Sequence, residues 1–417
     1  MKNLKGISTL FRPTIFLFAT AVLLAGKPAW AAPPCPFESR FGKQDEIGAS
    51  QTQTPEKALE AKNLIDTGRV FDLSHVLAEE TVPLPFGRVY DNGMFTFEFS
   101  TAANPTDQMF SQGPIVAFMG QVGTQIDALG HTGHPELGFY NCIPRSDVEP
   151  ELNNSVDTVF GNGFALGLPT GFTCNPFDTA GSPPGCVPDD GTVDVPGEND
   201  PGQGELQKLG VETIKPFFTR GVLIDLKNYL EGEDVNGLET KKGKILPASF
   251  VVDLDHVMEV MVAQGVEAPN EGDVVIFYTG WDEKYGDEQG NNELITESPG
   301  IGIEVADWLA ERKVAMAGAD NLALEALDGN GNAVDQTFPG GHPLETIADG
   351  MPFPVHFMLL TAEGIHILEL MKLKELADAL FDKKKKGDED AYDFAFTYAS
   401  VPLKGMGGSP GRPLAID

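Results

Sequence analysis

Gly120-Gln121-Val122-Gly123-Thr124-Gln125-Ile126-Asp127-Ala128-Leu129-Gly130-His131 decides how this 417-residue chain is read. In an extended segment Gln121, Gln125 and Asp127 fall on alternate positions and share one face. Gly123-Thr124 reads as a close approach of backbone to a ligand, with the Thr124 hydroxyl as a donor to a carbonyl oxygen. His131 suits proton transfer, because an unperturbed imidazole titrates near ~6.5. A carboxamide offers a metal only a neutral oxygen. That oxygen suits calcium, magnesium or manganese better than zinc, and it binds weakly unless carboxylates assist. Two readings follow: Gln121 and Gln125 are hydrogen-bonded strand residues in a metal-free site, or they help to hold one divalent ion.

Working outward, five further segments stand in order along the chain: Phe71-Asp72-Leu73-Ser74-His75; Gly272 to Trp281; Ser298-Pro299-Gly300-Ile301 followed by Gly318-Ala319-Asp320; His356 with Glu369; and Gly407 to Pro413. Together they resemble the cyclase family, which includes bacterial kynurenine formamidases and isatin hydrolase. The opening stretch resembles that family's H-x-G-T-H-x-D-x-P-x-H signature at Gly123, Thr124, Asp127 and His131. Gln121 and Gln125 stand where the family places two metal-binding histidines. The resemblance implies an α/β chain with the swivelling β/β/α fold, a central barrel-like mixed sheet and peripheral helices. It implies that Asp127, His356 and Glu369 are metal ligands, that His131 is the general acid/base, and that the protein forms dimers or tetramers. The implied activity is hydrolysis of an amide C–N bond in a small cyclic amide or an N-formyl aryl amine, as in the arylformamidase step of tryptophan catabolism. With imidazole absent from two ligand positions, the expected complement is one divalent ion (manganese, magnesium, calcium or zinc) or none. Two other classes stay open: a non-catalytic exported protein that binds a small molecule, and a metal-free lyase or isomerase.

Composition supports a folded, exported protein. Of the residues 41% are hydrophobic and 22% charged, enough apolar content for a large core. Lys2, Lys5 and Arg12 precede an apolar run from Ile15 to Ala25, and Ala29-Trp30-Ala31 follows as a small-x-small cleavage site. The expected division is a signal peptide over 1–31 and a single domain over 32–417, in the periplasm or outside the cell. The apolar run is shorter than the roughly 20 residues that span a bilayer, so no membrane association is expected after processing. Four cysteines in an exported chain are expected to pair; Cys174 and Cys186 bracket a short polar loop, leaving Cys35 with Cys142. A formal charge of −33 repels nucleic acid and anionic membranes.

Gly221–Leu226 and Val274–Tyr278 are apolar runs of strand length, and Ile365–Leu370 reads as a further short strand. Helical spacing covers Phe250–Gln264, Ile303–Arg312 and about Lys374–Phe381, with Lys383 to Lys386 expected in a solvated turn beyond the last helix. Two stretches rich in Gly, Pro, Asn and Asp, about 144–210 and 328–350, read as loop insertions beside the site. Trp281 and the alternating Phe95, Phe97 and Phe99 could offer an apolar wall for a ring-bearing substrate, although one face of a core strand is the better reading of the three phenylalanines. The chain has no H-E-x-x-H helix or phosphate-binding glycine loop.

Overall fold

The computed structural model describes residues 35–77, 120–148, 206–286, 288–334, 336, 342, 344, 345, 347 and 351–417. It also describes the backbone of three short antiparallel strand pairs, Met94–Phe97 with Ile115–Phe118, Ser100–Thr101 with Ser111–Gln112, and Phe172–Asn175 with Gly185–Pro188. The expected signal peptide lies outside these residues, as do most of the insertion at 144–210, much of that at 328–350 and the side chains of Phe95, Phe97 and Phe99. Cys35–Asp417 is one unit.

Nine strands make the central sheet: β1 (Val70–Asp72), β2 (Gln125–Asp127), β3 (Phe217–Asp225), β4 (Val274–Tyr278), β5 (Met316–Ala319), β6 (His366–Glu369), β7 (Asp393–Tyr398), β8 (Gly408–Pro410) and β9 (Leu414–Ile416). Their order is β1-β9-β7-β3-β4-β5-β6-β2-β8. The middle strands β3 to β6 are parallel, and antiparallel strands extend the sheet on both sides. The burial of all five β4 residues suits a parallel interior strand covered on both faces.

Connection length dictates the curvature. Strand β8 ends one side of the sheet, while β9 is second from the other, seven spacings away. At ~4.8 Å per spacing a flat sheet would hold them about 34 Å apart. Only Gly411, Arg412 and Pro413 join them, a reach of roughly 14 Å. The sheet therefore rolls toward a barrel, as the resemblance implies. Backbone bonds tie the closing segment down: Gly411 N–H donates to Thr124 O at 3.1 Å and Leu73 N–H to Pro413 O at 3.0 Å.

Helices α1 (Pro55–Lys62), α2 (Leu254–Gln264), α3 (Glu288–Thr296), α4 (Ile303–Arg312) and α5 (Lys374–Lys385) accompany the sheet. Several expected boundaries move: β3 begins four residues ahead of Gly221, and β6 covers His366–Glu369. Helix α2 begins after Asp253, whose carboxylate caps His256 N–H in a capping box, and Val251–Val252 ahead of it form a strand. Helix α5 takes in Lys383, Lys384 and Lys385, which fill its last turn where cations complement the helix dipole, in place of the solvated turn expected there. Cys35 and Cys142 are bonded, with Cα atoms 5.7 Å apart. Cys174 and Cys186 stand directly opposite in strand register, but their side chains lie outside the described residues. Among the described residues no helix is long and apolar enough to cross a membrane.

Candidate active site

Three strands and two turns assemble the site. In β2, Gln125 and Asp127 point to one side and Ile126 to the other, and all three are buried. Register sets Gln125 opposite Glu369 of β6 and Asp127 opposite Gly408 of β8. A tight turn, with His131 N–H donating to Ala128 O at 2.9 Å, folds His131 back toward Asp127. Gly123 holds φ +60°, a left-handed conformation that glycine adopts readily. His356 closes a short α turn, Pro354–His356, that runs into a π-helical stretch over Phe357–Ala362, an irregularity often found at functional positions.

The expected residues converge. His356 Nε2 lies 3.3 Å from Glu369 Oε1 and 3.6 Å from Asp127 Oδ2, and His131 Nε2 lies 4.0 Å from Asp127 Oδ2. Ligands about 2.1 Å from a common ion in tetrahedral or octahedral geometry sit roughly 3.0–3.4 Å apart. The His356–Glu369–Asp127 spacing is close to that range, and His131 stands slightly outside it. Gln125 Nε2 donates to Glu369 Oε2 at 2.9 Å, and Gln121 Nε2 meets His131 Nδ1 at 3.0 Å. Both carboxamides thus use their nitrogens on neighbours. Their oxygens, and both Asp127 oxygens, are buried without a hydrogen-bond partner.

Electrostatics reinforces this. Burial works to raise the Asp127 carboxyl, yet the His131 and His356 imidazoles and the Gln121 amide hold it below the usual range. Glu369 is raised, first by burial and then by the Asp127 charge. Burial opposes charge on His356, but the neighbouring carboxylates of Asp127, Glu325 and Glu369 hold its pKa well above that of a free imidazole. Asp127, Glu369 and Glu325 are buried carboxylates, and among the described residues no lysine or arginine forms an ion pair with them. A cluster so rich in anionic oxygen favours a cation. Four unpartnered buried oxygens and an imidazole nitrogen are a donor set that one divalent ion fits, and Asp127, His131 and His356 are mutually close enough to share one.

Glu325 is the residue that sequence reading missed. Its carboxylate is wholly buried, takes up the His356 Nδ1 side at 2.7 Å, and accepts the backbone N–H groups of His356 and Val355 at 3.1 and 3.2 Å. This carboxylate–histidine pair turns Nε2 toward Asp127 and raises the basicity of the ring. The signal was a lone acid inside the apolar run Leu322-Ala323-Leu324-Glu325-Ala326-Leu327. Ala323 and Leu324, immediately before it, hold φ of +76° and +57°, costly conformations for residues with side chains.

Two other expectations are corrected. Thr124 Oγ1 donates to Leu370 O at 2.6 Å and accepts His75 N–H at 2.9 Å, so its single proton ties the residue before β2 to the residue after β6 and is not free for a substrate carbonyl. Trp281 is buried against Leu294, Leu322 and Leu370, with its indole N–H donating to Leu246 O at 2.8 Å; it is core and not a pocket wall. His134 accepts the Glu136 and Leu137 N–H groups in a loop.

Comparison with solved structures places the fold among relatives. A novel cyclase aligns over 90% of this chain and 98% of its own with TM-score 0.61 and 23% identity. Isatin hydrolase A from Ralstonia solanacearum aligns over 87% of this chain and 97% of its own, with TM-score 0.44 and 16% identity. Isatin hydrolase A from Labrenzia aggregata aligns over 85% and 94%, with TM-score 0.43 and 17% identity. The first of these likenesses speaks for a shared fold. No curated protein matches the sequence. The model of the Cyclase family matches residues 71–326, well over half of the chain, and the protein belongs to that family.

Proposed function

We propose that the protein is an exported hydrolase of the cyclase family that cleaves an amide C–N bond in a small cyclic amide or an N-formyl aryl amine, with one divalent cation in its site. The observation that carries this reading is the set of buried oxygens without partners, both of Asp127 and one each of Gln121 and Gln125, beside His356 and Glu369. Asp127, His356 and Glu369 would hold the ion, with the two carboxamide oxygens in support. A bound divalent ion would supply Lewis acidity toward a carbonyl and a lower pKa for water.

The chain's own groups divide the remaining work. Asp127, wholly buried and ionised, orients the attacking water. Glu369, whose second oxygen accepts the Gln125 amide at 2.9 Å, is fixed beside Asp127 and His356. Glu325 keeps His356 turned inward. His131, partly exposed with a side chain 31% accessible, serves the carbonyl or leaving group. The substrate class rests on family membership and the signal peptide on the sequence.

The test is a panel of N-formylkynurenine, isatin and hydantoins, with and without manganese. His131→Ala is expected to lower turnover by about 10²–10⁴ with the fold intact, and Asp127→Ala to lower it as far and abolish ion binding. Tight binding without product, unchanged by His131→Ala, would favour a binding protein instead.

A further inference from the structure

We propose that Gln121 is a positioning residue that sets the tautomer of His131, with the ring proton on Nε2 facing Asp127 and the lone pair on Nδ1 facing Gln121. This rests on the reading of His131 as the reactive imidazole. A carboxamide nitrogen only donates, and at 3.0 Å the facing Nδ1 of a neutral ring must accept. The remaining proton then belongs to Nε2, 4.0 Å from Asp127 Oδ2.

One feature orders the carboxamide and another holds it in place. The Gln121 amide helps to stabilise the charge on Asp127, so a flip would aim its oxygen at a buried anion. The amide also packs on the backbone of Gly408: a Cβ there would lie 2.3 Å from Gln121 Nε2 and 2.6 Å from its Cδ. The bare glycine makes the seat that holds the side chain against His131. Gly408 is itself held by its pairing with Asp127 in the sheet.

The consequence is a division of labour. In its neutral form His131 offers a hydrogen-bond donor at Nε2, suited to a substrate carbonyl oxygen, and has no lone pair there with which to deprotonate water. Water activation falls to the carboxylate side of the site. The glutamine at position 121 thus acts as more than a weakened ligand: it selects the role of the adjacent histidine.

Long-range ¹H–¹⁵N spectra of the full mature chain at neutral pH read the tautomer directly, with the His131 signals identified by their loss in His131→Asn. The wild type is expected to show the Nε2–H form. Gln121→Glu replaces the donor by an acceptor and is expected to move the proton to Nδ1. Gly408→Ala keeps the glutamine but displaces its flexible end, and is expected to give a mixture of tautomers, as is Gln121→Ala. On any amide the wild type hydrolyses, Gln121→Glu is expected to lower kcat at least tenfold with KM within about threefold. An Nδ1–H ring in the wild type, or one unmoved by both Gln121→Glu and Gly408→Ala, would overturn the proposal. The expected spectra without turnover of any amide would defeat the hydrolase reading and leave the tautomer assignment standing.

Discussion

Glu325→Gln separates the architecture of the site from its chemistry. The wild-type carboxylate is fully buried and takes three donors, His356 Nδ1 at 2.7 Å, His356 N at 3.1 Å and Val355 N at 3.2 Å. Glutamine keeps the volume but has one acceptor oxygen and a nitrogen that only donates, so at least one donor meets another donor. Leaving one buried donor unsatisfied costs about 1–3 kcal/mol. Glu325→Ala removes all acceptors, and breaking such a buried charged contact costs about 3–5 kcal/mol. An unanchored His356 ring is also a poorer ligand: loss of an outer-shell carboxylate typically lowers metal affinity 10–100-fold, equivalent to about 1.4–2.7 kcal/mol. Urea denaturation measures the first effect, and calorimetric titration with manganese measures the second. Glu325→Gln with wild-type stability and wild-type manganese affinity would refute the argument that Glu325 orients His356.

Further predictions concern the rest of the account. Ion binding should release close to one proton, because His356 carries one at neutral pH in the ion-free site; titration in buffers of different ionisation enthalpy counts it, and affinity should rise with pH. Burial, and for His75 the nearby Lys372 charge, depress the imidazoles of His75 and His366 to about 4, so each folded ring stays neutral where the unfolded one binds a proton. Stability from each is therefore full above about 6.5 and declines as pH falls toward 4, by on the order of 1–3 kcal/mol. The carboxyls of Asp225 and Asp320, raised to about 6, act in the opposite sense, losing stability as pH rises from about 4 to 6. The measurement is thus the difference between wild type and His75→Phe, whose acid limb should be shallower; parallel limbs would contradict the assignment. Reduction of Cys35–Cys142, which spans 107 residues of sequence, should cost about 2–5 kcal/mol in unfolding free energy, read by melts with and without reductant.

Most of the scaffold was legible because its strands and helices carry strong local signals. Val274–Tyr278 and Ile303–Arg312 occur with the expected boundaries, since an apolar five-residue run bounded by turn residues and an amphipathic stretch after Pro299-Gly300 each admit one conformation. The convergence of Asp127, His131, His356 and Glu369 was legible from the family signature, and no local pattern would have joined residues more than 200 positions apart. Glu325 was not legible: an acid among leucines and alanines reads as a loop residue until the fold sets it against His356. Trp281 and Thr124 failed for a different reason. Indole and hydroxyl groups bond as well to the backbone as to a ligand, and only tertiary contacts reveal which partner each has.

The central claim is that this site holds one ion with oxygen-rich coordination where the family signature has histidines. Metal analysis by inductively coupled plasma mass spectrometry, on protein purified without chelator and on Gln121→His/Gln125→His, tests it most directly. The account predicts no more than one divalent ion per wild-type chain, with manganese, magnesium or calcium preferred over zinc, and a marked gain of zinc in the double variant. Two stoichiometric zinc ions in the wild type would contradict it.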